Sequence, residues 1–217
     1  VANARPKPGE QKMGQPDESQ FYSYADYLLW DEKSKWEIIG GVPYAIFPAP
    51  LRIHQEIIGN LYFKIRQYLE GKSCKLYLAP FDVRIPDSAE TNDQLIQHVV
   101  QPDLSVICDP FKLDERGCLG APDWIIEVLS PATSSKDLNQ KFRLYESAGV
   151  KEYWVVYPAE QVINLFRLEK GKFVFAGIFA RLSSVQVITF PDLLIDLREI
   201  FEDPLKEVQE GPATYRI

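Results

Sequence analysis

The chain has 217 residues, 46% of them hydrophobic and 25% charged, which is the composition of an ordinary globular protein large enough to fill one core. Its formal net charge of -7 argues against broad electrostatic binding to nucleic acid, which takes phosphate-neutralising Lys and Arg, so any such role must rest on a local basic surface or a metal ion. No apolar run approaches the ~20 residues that cross a bilayer, and the first residues lack a basic-then-apolar signal pattern, so the expectation is a cytoplasmic protein with no membrane partner.

Residues 1–20 are rich in Pro, Gly, Gln and Lys without an apolar period, and a disordered leader is expected there. A single domain is expected over 21–202. Ser23 ahead of Tyr24-Ala25-Asp26-Tyr27-Leu28-Leu29-Trp30 reads as the cap of a short helix. Trp36 to Ile39, Gly40-Gly41 and Val42 to Phe47 read as a hairpin whose glycine pair tolerates positive φ. From Ile53 to Leu69 the apolar residues Ile57, Ile58, Leu61, Ile65, Tyr68 and Leu69 recur at helical spacing, and Gly71 stops the longest helix.

Strands are expected at Lys75 to Ala79 and Phe81 to Ile85, followed by a polar loop from Pro86 to Gln94. Val99 to Cys108 and Trp124 to Leu129 are β-rich runs, apolar on both faces at their centres as in interior strands. Ser134 to Ala148 reads as a helix, with Asp137 completing a loose capping box and Gly149 ending it. Glu152 to Val156, Val162 to Leu168, Phe173 to Ile178 and Val185 to Ile188 read as four strands. A last short helix is expected at Leu193 to Phe201, and a mobile tail over 203–217. The order implies a mixed α/β sheet with helices packed on it and a C-terminal β-meander. Cys74, Cys108 and Cys118 form no CxxC pair and are expected to be reduced thiols.

Two carboxylates stand in apolar strands. Glu127 lies inside Trp124-Ile125-Ile126-Glu127-Val128-Leu129, where an ionised group is costly unless something pairs with it. Asp103 opens Leu104-Ser105-Val106-Ile107, a place where Asp is by itself an ordinary turn residue. At about 100° per residue, Leu138, Phe142 and Tyr145 set an apolar stripe on the following helix. Lys141 projects between Tyr145 and Ala148, towards whatever that helix packs on. Glu127 is its nearest acidic candidate; the alternative is a lysine whose stem covers core surface while its ammonium reaches water.

Two acidic strands that converge would repel without a cation between them, and one or two carboxylates completed by water and phosphate is how Mg²⁺ is bound. Cysteine and histidine are too scarce for a conventional zinc site. His54 falls on the apolar arc of the long helix, where a lone His is more often a hydrogen-bonded core residue than a ligand. Glu37 sits in a short strand, where solvent exposure is the bland expectation. The chain has no P-loop, no GxGxxG opening a helix, no GxSxG elbow and no HExxH, so nucleotide-binding, serine-hydrolase and zincin readings have no starting point.

The stretches VVQPDLSVI and GAPDWIIEVLSPATSSKDLNQKFRLYESAGVKEYWVVYP, with EIIGGVPYAIFPAPLRIHQEIIGNL upstream, together resemble the restriction endonuclease-like family that is especially abundant in cyanobacteria. That family belongs to the PD-(D/E)XK nuclease superfamily. The resemblance runs in order from Tyr22 to Leu168. It implies a restriction-endonuclease-like core in which Asp103 is the aspartate and Glu127 the second acid. The superfamily lysine would stand two residues after that acid, where this chain has Leu129; the family moves it to the next helix, and Lys141 matches. Glu37 and His54 match the acidic and histidine positions that accompany the site.

The implied activity is Mg²⁺- or Mn²⁺-dependent hydrolysis of DNA phosphodiesters, with Asp103, Glu127 and Lys141 catalytic and His54 assisting. Glu37 and His54 would help complete the metal shell. Two rival expectations stand beside it: a non-catalytic relative in which Glu127 and Lys141 form an internal salt bridge, and a metal-dependent hydrolase of a small phosphoester. Lys64, Arg66, Lys136 and Arg143 are too scattered to define a DNA-sized patch. By analogy with two-fold nucleases, a homodimer is expected, with Val162 to Ile188 as its interface.

Overall fold

The computed structural model describes residues 14–30, 36–46, 51–89, 91–130 and 137–201. The leader to residue 13, Phe47, the Ser134 cap and the tail from 202 lie outside these. Helix α1 (Tyr24–Tyr27) is short and starts in a full capping box: the Ser23 side chain accepts from the Asp26 N–H, and the Asp26 carboxylate accepts from the Ser23 backbone. The hairpin follows as β1 (Trp36–Ile39) and β2 (Val42–Ala45), with Gly40 and Gly41 at φ 59° and 77° between them. Helix α2 (Arg52–Tyr68) turns the expected residues Ile57, Leu61 and Ile65 inward, and Gly71 adopts positive φ just beyond it.

The remaining strands are β3 (Lys75–Leu78), β4 (Val83–Arg84), β5 (Val99–Val100), β6 (Leu104–Ile107), β7 (Leu113–Asp114), β8 (Gly117–Leu119), β9 (Trp124–Val128), β10 (Glu152–Tyr157), β11 (Val162–Glu169), β12 (Lys172–Ala180), β13 (Ser184–Gln186) and β14 (Leu194–Asp196). They form two six-stranded sheets and one pair. The main sheet runs β12-β11-β10-β9-β6-β3, antiparallel except where β9 meets β10. The second runs β2-β1-β5-β4-β8-β7, and β13 pairs with β14. A parallel β9–β10 pair requires a crossover. Helix α3 (Phe142–Ala148), entered through a π-turn at Asp137–Lys141, supplies it.

The main sheet has apolar residues on both faces, as its continuous hydrophobic runs foretold. Leu104, Val106, Trp124, Ile126 and Trp154 pack with Ile57, Leu61 and Ile65 of α2 on one face. On the other, Ile107, Ile125, Tyr153 and Val155 pack with Tyr145 of α3 and with Val83, Val100 and Cys118 of the second sheet. A fully buried side chain of this size contributes about 1.5–3 kcal/mol each, so these two layers dominate stability.

Three expectations need correction, and two strands were not foreseen. The run from Val99 to Cys108 is two strands in two different sheets, because Gln101-Pro102-Asp103 interrupts it and Pro102 has no N–H to give a ladder. Strands β7 and β8 are too short, at two and three residues, for periodicity to expose them. Leu193 to Phe201 is not a helix: exposure alternates along Leu193, Leu194 and Ile195 (8%, 62% and 1%), the period of a strand, and only Leu197–Glu199 makes a 3-10 turn. Cys74 and Cys108 are joined by a disulfide, since β3 and β6 pair with Lys75 opposite Ile107 and bring the flanking cysteines together. Cys118 is free and buried, and burial pushes its thiol up to about 12.

Gly117 has φ 129°, and a Cβ there would lie 2.2 Å from the backbone oxygen of Asp82. Gly59, inside α2, has open space around its missing side chain. Urea unfolding should therefore show Gly117→Ala losing at least about 1–3 kcal/mol, and Gly59→Ala gaining about 0.5–1 kcal/mol.

Candidate active site

The site forms where the chain passes from the second sheet to the main one. Gln101-Pro102-Asp103 makes that passage between β5 and β6, so Asp103 stands at the mouth of the main sheet, beside the C-terminal end of β9. Pairing of Leu104 with Ile126 sets Asp103 next to Glu127. The two support each other's backbone: the Val128 N–H donates to Asp103 Oδ2 at 2.8 Å, and the Asp103 N–H lies 3.5 Å from Glu127 Oε2.

Lys141, at the end of the π-turn, brings its ammonium to Glu127 Oε1 at 2.9 Å and to Glu37 Oε1 at 3.0 Å. One cation therefore bridges a carboxylate from each sheet, with Lys141, Glu127 and Glu37 only 4%, 2% and 1% exposed. The Gln101 N–H donates to the same oxygen of Glu37 at 2.8 Å, fastening the passage segment to the pair. His54, on the first turn of α2, approaches from the opposite face and sets Nε2 3.4 Å from Asp103 Oδ2. All five residues singled out from the sequence thus belong to one connected set. Asp103 is its most open member, with a side chain 19% exposed.

Two further groups were not singled out. Tyr145 was read as part of an apolar stripe, yet its hydroxyl donates to Glu127 Oε1 at 2.7 Å. Burial first, and then the Glu127 charge, hold its phenol well above the usual range, so it remains a donor. The signal was present, since residues four apart on a helix share a face with Lys141. Behind Glu37 lies a polar cluster: Gln101 Nε2 donates to Asp82 Oδ1 at 2.9 Å and to the Tyr27 hydroxyl at 3.2 Å, and that hydroxyl donates to Asp82 Oδ1 at 3.2 Å. Its three members are distant in sequence and carry no pattern. Burial is the chief cause that raises the Asp82 carboxyl above its ordinary value, with the Glu37 charge adding to it.

Among the described residues no three His, Cys, Asp or Glu side chains are disposed as a ready-made metal cage. The donor set nonetheless fits a hard divalent cation. Asp103 and Glu127 offer oxygen only, one just ahead of β6 and the other on the adjacent β9, with Glu127 Oε2 turned towards Asp103. That ion needs only one or two protein carboxylates when water and phosphate complete its shell.

A mixed sheet with helices on both faces, carrying two acids on neighbouring strands and an inward lysine, defines a nuclease-like fold of the restriction-endonuclease class. The chain belongs to the Uma2 family, described as "Putative restriction endonuclease", whose profile matches residues 24–198. It is similar to the crystal structure of a "putative nuclease" from Anabaena variabilis ATCC 29413, with a TM-score of 0.66 and 21% identity over 82% of this chain and 97% of that one. At that identity the likeness shows the fold. An "uncharacterized protein" of Synechocystis sp. is 28% identical over 144 residues, covering 65% of this chain and 71% of that protein.

Lys141→Met should leave two buried carboxylates without their cation and lower stability by about 3–5 kcal/mol in urea unfolding. The pH dependence has a definite sign. A carboxyl raised in the fold contributes stability below its unfolded value, near 3.8 for Asp82, and loses that contribution as pH rises through the folded value. The melting temperature of Asp82→Asn relative to wild type should therefore climb between about pH 4 and neutral.

Proposed function

We propose that this protein is a metal-dependent endonuclease that hydrolyses DNA phosphodiesters at Asp103, Glu127 and Lys141. The observation that carries the reading is the convergence of two acids. Asp103 stands beside Glu127, whose carboxylate meets the Lys141 ammonium, at a place where Asp103 reaches solvent. Carboxylates held side by side in a low dielectric favour a cation between them.

Asp103 and Glu127 would hold Mg²⁺ or Mn²⁺, with His54 beside Asp103. When bound, such an ion polarises a phosphoryl oxygen and lowers the pKa of water. The protein's own residues do the rest. Lys141 keeps a fixed positive charge next to Glu127 and stabilises negative charge that develops on the phosphate oxygens. Glu37 holds that ammonium from the second sheet, so the charge needs no reorganisation during the reaction. His54 orients Asp103 and is placed to accept or return a proton there. DNA contact is local, as the acidic chain requires.

One observation favours the rival reading of a non-catalytic relative: Lys141 is sealed between two carboxylates as an internal salt bridge would be. Cleavage decides between them. Supercoiled plasmid with Mg²⁺ or Mn²⁺ should be nicked or linearised by the wild type and not by Glu127→Gln or Lys141→Ala. Absence of cutting would return the protein to the rival reading, and cutting that survives both changes would remove Glu127 and Lys141 from the activity.

We further propose that the expected homodimer forms through β12, within the segment Val162 to Ile188. This nine-residue strand ends the main sheet, pairs only with β11 among the described residues, and exposes Val174, Phe175 and Ile178 at 37%, 51% and 62%. A long apolar edge invites a second strand. An isologous β12–β12 pairing would cover it. Light scattering should give a dimer for the wild type and a monomer for Phe175→Lys with Ile178→Lys; a wild-type monomer would remove the assignment.

A further inference from the structure

We propose that Tyr145 is a positioning residue for the acidic pair: its hydroxyl commits Glu127 Oε1 and thereby fixes Oε2 towards Asp103, where a divalent cation would bind. The inference rests on the metal-dependent reading above and adds a residue to it. Glu127 Oε1 takes two donors, Lys141 Nζ at 2.9 Å and Tyr145 Oη at 2.7 Å, whereas Oε2 lies 3.5 Å from the Asp103 N–H. The terminal torsion of a glutamate is broad, so something must select which oxygen faces its neighbour.

Lys141 is poorly suited to select it. An ammonium is a point charge with rotatable donors on a flexible stem, and this one is shared with Glu37 at 3.0 Å. Tyr145 has a rigid ring, no exposed surface, and an edge-on partner in Tyr153 at 5.3 Å and 77°. It presents one donor from one direction. It also stands one turn after Lys141, so a single helix delivers both donors to a single oxygen. Tyr145 touches neither substrate nor ion in this scheme; it acts through Glu127.

The test is a Mn²⁺ titration of the full chain by calorimetry, with free Mn²⁺ followed by its electron paramagnetic resonance signal, for wild type, Tyr145→Phe and Glu127→Gln. Phenylalanine keeps the ring packing on Tyr153, and circular dichroism with a thermal melt establishes that the variant is folded. The expected result is Mn²⁺ affinity weakened about 10–100-fold in Tyr145→Phe, the scale for a group that orients a ligand, and abolished in Glu127→Gln. A merely structural tyrosine would lower the melting temperature and leave the affinity of the folded protein unchanged. Unchanged affinity in Tyr145→Phe alongside its loss in Glu127→Gln would overturn the role of Tyr145 and leave the acidic pair standing. No Mn²⁺ binding by the wild type, or wild-type binding by Glu127→Gln, would instead overturn the metal-dependent reading itself.

Discussion

One ammonium joins the two halves of this molecule. Lys141 lies between Glu127 of the main sheet and Glu37 of the second, all three nearly without solvent. Buried ion pairs of this kind seldom add net stability, because stripping water from the charges offsets most of their attraction. What such a pair supplies is specificity of arrangement. A sheet displaced by an ångström or two would leave a buried charge unmatched, so the relative placement of the sheets is held to a narrow range. Apolar packing of Ile107, Ile125, Val83 and Val100 supplies the cohesion between the same layers without fixing their registry.

That constraint explains why the passage from β5 to β6 is where the charged groups collect. The segment must leave one sheet and enter the other within three residues, and each does a separate task. Gln101 gives its N–H to Glu37 and its side chain to Asp82; Pro102 ends the ladder; Asp103 begins the next strand with its carboxylate at the sheet end. A carboxylate there can be partly open to solvent while its neighbour on β9 is sealed. The asymmetry between a reachable Asp103 and a buried Glu127 follows from topology.

Much of this was legible in the chain itself. Glu127 and Lys141 stood out because each broke a pattern, an acid in an apolar strand and a lysine on an inward helical face. Both deviations proved to be one contact. The period of α2 and the two apolar faces of β6 and β9 were equally plain. The Tyr27–Asp82–Gln101 cluster was not, because its members meet only after the second sheet has formed. Strands β7 and β8 were hidden by their shortness, and the Cys74–Cys108 bond by its dependence on the β3–β6 register. Local pattern reveals what a residue avoids, and tertiary structure decides what it meets.

The π-turn at Asp137–Lys141 bears on how the lysine is delivered to the acid. A π-turn holds one residue more than the α-turn it replaces, and such turns are frequent at functional sites. Here it lies between the strand bearing Glu127 and the regular helix that fixes Lys141. The ammonium is held in place from beyond the turn, because α3 is anchored by Leu144 and Tyr145 in the core. The position of the ammonium is therefore set by the anchored helix beyond the turn, and not by the number of residues that separate acid from lysine along the chain.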